Sequence, residues 1–242
     1  TASNKAGRIQ GTLDNRDTEL VNAGALQAAA LGKVLAADET LSIDRVFCSP
    51  MRRARQTYGV LEQAYTSNHV DDLELPAPTF RDDLREIELH EWQGRLKADI
   101  MVEEPDAWAR WKSEPASFVM PCGRAPLRDL WTRAEGNWAA LRDETPLETT
   151  TTLVVAHGAL NRCMLGIALG RDMDAFADPT LHFENGALVE VLWAPDAPVA
   201  ERWRWRHPQP SAWFSLSEDE VPTEVGGGPT PMSSSSSTSL AF

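Results

Sequence analysis

Residues 151–160, TTLVVAHGAL, pass from a run of strand-forming residues straight into a helical pattern, with a histidine at the junction. Such an apolar run belongs inside a sheet rather than at its surface, because little on either side of it is polar. The rest of the chain repeats the alternation. Residues 20–37 are rich in alanine and leucine, with Leu31, Val34 and Leu35 on one helical face; residues 43–48 are a short β-type run; residues 51–65 are helical again. Pro126 opens a further amphipathic stretch carrying Leu127, Leu130, Trp131, Trp138 and Leu141, residues 187–193 read as a strand, and RWRWR at 202–206 has the period of an edge strand. Strands separated by helices predict an α/β fold: three layers, α/β/α, around a mostly parallel central sheet.

Residues 1–214 therefore form one domain. From Ser215 the chain turns acidic, then glycine-rich, then serine-rich, too poor in large apolar groups to offset the entropy of ordering. Residues 215–242 are predicted to be a disordered tail. A net charge of −13 argues against a nucleic-acid partner, which needs a basic surface, and no apolar run reaches the roughly 18 residues of a membrane span. Cys48, Cys122 and Cys163 are odd in number and widely spaced, which suggests neither a disulfide framework nor a zinc site and fits a reducing, cytoplasmic setting.

In parallel sheets ligands gather where strands end and helices begin. Three such places carry chemistry. In CSPMRRARQT (48–57), Ser49 is suited to cap a helix and Pro50 to open it, yet Arg52, Arg53 and Arg55 crowd the first turn, where the helix end is already positive. Two readings stand: a solvated helix face, or a phosphate site that uses one or two of these guanidinium groups. In AHGAL, His157 ends a buried strand and Gly158 is expected to let the backbone turn sharply. The imidazole is either a structural core group or a phosphate-binding and proton-transferring one. In LREIELHEWQG (84–94), Glu86, Glu88 and Glu91 are either surface carboxylates or include one buried acid able to protonate a leaving oxygen.

Taken in order, N-x-x-x-R-x-Q-G at Asn4 to Gly11, L-x-x-x-G-x-x-Q-A at Leu20 to Ala28, S-P-x-x-R-A-x-Q-T at Ser49 to Thr57, L-x-E…W-x-G at Leu84, Glu86, Trp92 and Gly94, and A-H-G at Ala156 to Gly158 resemble the histidine phosphatase superfamily, also called phosphoglycerate mutase-like, over residues 1 to about 195. The resemblance implies that Arg53 and His157 bind the phosphoryl oxygens, with Asn4 and Gly158 completing the pocket, and that Glu86 is the general acid. It implies phosphoryl transfer through a phosphohistidine with no metal or other cofactor, positive charge coming from arginine and imidazolium. Members carry Arg-His-Gly at the end of a first, central strand. Thr1 resembles the residue just after that motif, so the resemblance predicts a truncated chain that lacks both the strand and the nucleophile. His90 stands where the family usually has glycine, and Val21 stands at the usual cap position, with Asn22 a cap one residue later.

Gly94 and His157 are only 63 positions apart, shorter than the mutase branch's insertion, which favours a phosphatase acting on a small phosphorylated metabolite. A mutase-type phosphotransferase and an inactive phosphate-binding module are the alternatives. Trp108, Trp111 and Phe118 are read as core or as a lid over the site.

Overall fold

The computed structural model describes residues 1–38, 41–68, 73–144, 151–193, 202–207 and 238–241. In chain order the elements are α1 (Ala2–Lys5), α2 (Asn22–Ala37), β1 (Arg45–Cys48), α3 (Arg52–Thr66), β2 (Thr79–Phe80), α4 (Lys97–Glu103), α5 (Pro105–Ser113), α6 (Pro126–Glu144), β3 (Thr151–Val155), α7 (Gly158–Ala168), β4 (Leu188–Trp193), β5 (Arg202–His207) and β6 (Thr238–Ala241). They build one six-stranded sheet in the order β2-β1-β3-β6-β4-β5. β2, β1, β3 and β6 run parallel, and β4 is antiparallel to both β6 and β5. The arginine-tryptophan strand is at the edge, as its period predicts.

The strands' side chains alternate between two separate cores. Val46, Cys48, Leu153 and Val155 face Leu31, Leu35, Tyr58 and Leu61 of α2 and α3. Phe47 and Val154 face the opposite layer, with Leu127, Leu130 and Trp138 of α6 and Leu160 and Met164 of α7. A two-residue period in β1 and β3 thus feeds both apolar faces of a three-layer α/β/α sandwich. Trp108, Trp92, Phe118 and Trp111 pack in succession at ring-centroid distances of 5.8, 5.4 and 5.6 Å within the second core. That arrangement places Trp108 and Trp111 in the packing rather than over the site.

α2 and α3 meet at Gly32, where an added Cβ would lie 2.3 Å from the Leu61 carbonyl oxygen and 2.9 Å from the Ala64 Cβ. Gly32→Ala therefore forces the two helices apart and is expected to destabilise the protein by about 1–3 kcal/mol. Chemical denaturation of the two forms measures it.

The end of the chain departs from expectation. Residues 238–241, assigned by composition to a structureless tail, form β6 inside the sheet, pairing Thr152 with Leu240 and Glu190 with Ala241. The slot between β3 and β4 is thereby filled. Backbone ladder bonds on both sides of β6 outweigh a weak local propensity. Residues 208–237 lie outside the described residues. Among the described residues no helix is long and apolar enough to cross a membrane.

Candidate active site

β1 ends at Cys48, and the Ser49 amide still donates to the Val155 carbonyl at 2.9 Å, so the corner that follows sits at the carboxyl rim of the sheet. α3 starts later than the Ser-Pro pair suggests: Met51 is its N-cap and offers no side-chain bond. Ser49 is thereby released from capping. The three arginines then diverge. Arg52 pairs with Glu19, and Arg55 lies over the Phe80 ring, 5.0 Å from its centroid. Arg53 turns inward and is only 9% exposed. Its Nη1 donates to the Leu13 carbonyl at 3.0 Å and its Nη2 to the Gly11 carbonyl at 2.8 Å, so one guanidinium holds the 11–13 loop. Gly11 is needed there: its φ is +53°, and a Cβ would fall 2.0 Å from the Gln93 side-chain oxygen. Burial lowers the Arg53 pKa, while Glu86 and Asp14 oppose the shift.

His157 follows β3 and caps α7 from its extended backbone, its carbonyl accepting the Asn161 amide at 2.8 Å. The ring is buried, and Nε2 lies 2.8 Å from the Ser49 Oγ. Burial comes first, then the charges of Arg53, Arg133 and Arg85, in holding its pKa well below the usual histidine value. Burial thus favours the neutral imidazole in the free protein. Gly158 also differs from expectation. It is the first helical residue of α7, without a positive φ, and an added Cβ would meet nothing closer than the Phe183 carbonyl at 4.0 Å, so the turn does not require glycine.

Glu86 reaches the start of the same helix. Its carboxylate accepts the amides of Ile87 at 2.9 Å, Leu160 at 3.3 Å and Ala159 at 3.4 Å. Burial raises its pKa, and those amides together with Arg53 pull against that rise. Its segment is pinned from α6: Arg133 donates to the carbonyls of Arg85 at 2.6 Å and Glu86 at 2.9 Å, and Asn137 donates to that of Asp83 at 2.7 Å. Beside Glu86, a cavity of about 330 Å³ opens between this segment and the start of α6, with Arg85 and Arg133 in its wall.

Arg53 in the first turn of α3, His157 bonded to Ser49 after β3, and Glu86 on the amides that open α7 thus lie along one rim of the sheet. Asn4 is not drawn in with them: it is exposed, and its side-chain oxygen accepts from Gln10, which Thr1 also contacts. The sequence reading missed Ser49 as the partner of His157 and Arg133 as the clamp on Glu86. The S-P pair marked the first position without its role, while nothing in the α6 pattern singles out Arg133. Among the described residues no group of three His, Cys, Asp or Glu side chains is placed to hold a metal ion.

The chain is an α/β/α sandwich with a buried arginine, a strand-end histidine and a glutamate at one rim, and residues 1–206 match the family model of the histidine phosphatase superfamily, branch 1. The chain belongs to that superfamily. It is 32% identical over 173 residues to a 2-carboxy-D-arabinitol-1-phosphatase of Triticum aestivum, a match covering 72% of this chain and 31% of that protein. The chain thus spans about a third of the length of the curated plant relatives it matches. In fold it is similar to a mycobacterial glucosyl-3-phosphoglycerate phosphatase, with a TM-score of 0.64, 24% identity and coverage of 82% and 89% of the two chains. It is also similar to the α-ribazole phosphatase of Shigella flexneri, with a TM-score of 0.61, 19% identity and coverage of 82% and 87%.

Proposed function

We propose that this chain grips the phosphoryl group and supplies the proton in a phosphomonoester hydrolase acting on a small phosphorylated metabolite. The observation that carries the reading is the placement of Arg53, His157 and Glu86 along one rim, with His157 on Ser49 and Glu86 on the amides that open α7. Arg53 and His157 donate to the equatorial phosphoryl oxygens, where charge accumulates in the transition state. Glu86, whose pKa burial raises, gives its proton to the leaving alkoxide as the P–O bond breaks. The nucleophile follows from the family resemblance: the ring nitrogen of an Arg-His-Gly histidine, a motif absent from these 242 residues, bonds to phosphorus, and water then releases phosphate from the phosphohistidine. No mutase-type step is needed for this chemistry.

Inorganic phosphate is the simplest probe. A bound dianion reverses the balance that keeps His157 neutral, so binding takes up a proton and raises the pKa of that ring, and affinity weakens as the pH climbs. NMR of the His157 ring during a phosphate titration is expected to show the ring protonating as the site fills. A ring that stays neutral throughout would place phosphate elsewhere. Hydrolysis of phosphomonoesters by the full-length protein then separates a catalyst from a module that only binds.

A further inference from the structure

The cavity beside Glu86 has a wall that phosphoryl chemistry does not account for. Around its mouth stand Glu88, His90, Arg124 and Asp129, with Pro126 and Leu130 as its apolar members. The charges there are already matched. Arg124 lies 3.6 Å from Asp129, Arg85 lies 3.6 Å from Asp82, and Arg133 spends its donors on backbone carbonyls. A second anion therefore meets no unpartnered cation among these three arginines. Hydroxyl groups, which both donate and accept, suit an alternation of carboxylate, imidazole and guanidinium, and an apolar patch suits the C–H face of the same molecule.

The backbone at His90 singles this wall out. Its φ is +37°, and among the described residues it is the one non-glycine with positive φ. Its ring is 18% exposed, with Nδ1 3.5 Å from a Glu88 carboxylate oxygen. Left-handed backbone costs a residue with a Cβ on the order of 1 kcal/mol, and such outliers concentrate at ligand sites. A histidine held there against that cost, with its ring on the cavity wall, points to a task for the side chain.

We propose that this cavity is a specificity subsite for the alcohol part of the phosphomonoester, and that His90, Glu88 and the Arg124–Asp129 pair select a neutral polyol. The inference rests on the phosphomonoester reading above and names its substrate class. The polyol chain lies over Pro126 and Leu130 with its hydroxyls on the polar rim, which leaves the ester oxygen beside Glu86.

Calorimetry on the 242-residue chain with four probes tests this: inorganic phosphate, hexyl phosphate, glucitol 6-phosphate and 6-phosphogluconate. Glucitol 6-phosphate is expected to bind about tenfold more tightly than hexyl phosphate, the worth of one or two good hydrogen bonds, and at least as tightly as 6-phosphogluconate, which differs from it by a carboxylate. His90→Gly, which relaxes the backbone and so keeps or raises the melting temperature, is expected to bring the glucitol-to-hexyl ratio close to one with phosphate affinity unchanged. Asp129→Asn is expected to lower the same ratio. Equal binding of the glucitol and hexyl esters, tighter binding of 6-phosphogluconate, or an undiminished ratio in both variants would overturn the polyol subsite alone. Failure of inorganic phosphate to bind brings down the phosphomonoester reading, and this inference with it.

Discussion

Arg53→Ala is expected to weaken phosphate binding by about 10- to 100-fold, the worth of charge-assisted hydrogen bonds from a buried guanidinium. The same substitution also frees the carbonyls of Gly11 and Leu13, so the melting temperature falls as well. Arg53→Lys separates the two effects. Lysine keeps the charge but has no planar fork with which to hold two carbonyls while facing an anion, so part of the phosphate affinity returns and the loop stays loose. Isothermal titration with phosphate and thermal unfolding of both variants provide the readings. Unaltered phosphate affinity in Arg53→Ala would mean that the anion sits away from this rim.

Glu86→Gln separates binding from turnover. In the full-length protein, hydrolysis of alkyl phosphates is expected to fall by about 10²- to 10⁴-fold, the usual worth of a positioned general acid, while phosphate affinity holds or improves once a negative neighbour of Arg53 is gone. Esters whose leaving group needs no proton, such as nitrophenyl phosphate, are expected to lose much less. A uniform loss across both ester types contradicts the assignment.

Stability carries a second signature of the same group. Because burial raises the Glu86 pKa, the folded state holds a proton that the unfolded chain gives up more readily, so this contribution to stability is present at acid pH and lost as the pH rises through the folded value. Glutamine removes that dependence. The variant's melting temperature relative to the parent is expected to be most favourable near neutral pH, and the advantage to shrink below the ordinary carboxylate range.

How far the sequence goes depends on how local each signal is. β3 and α7 are legible because an apolar run and a helical pattern abut within ten residues, and the burial of both faces of β3 follows from composition alone. Arg53 is legible only through the motif resemblance, since its neighbours Arg52 and Arg55 have the same local chemistry and differ in what the fold places beside them. The neutrality of His157 is not legible at all. It follows from burial and from three arginines distant in sequence. Ser49 misleads because a serine before a proline reads as a helix cap, whereas the cap falls two residues later at Met51 and Ser49 lies against the histidine. β6 hides because its place depends on partners in β3 and β4, and little in TSLA itself announces a strand.

That strand also bears on how the molecule is made. Synthesis delivers β1, β2 and β3 early and β4 and β5 later, yet among the described residues the two groups of strands pair only through residues 238–241. Residues through 241 must leave the ribosome before this sheet can be zipped, and until then β3 and β4 each offer an unpaired edge to any neighbouring chain. The interval before closure is when this sheet is most open to capture by chaperones or to aggregation.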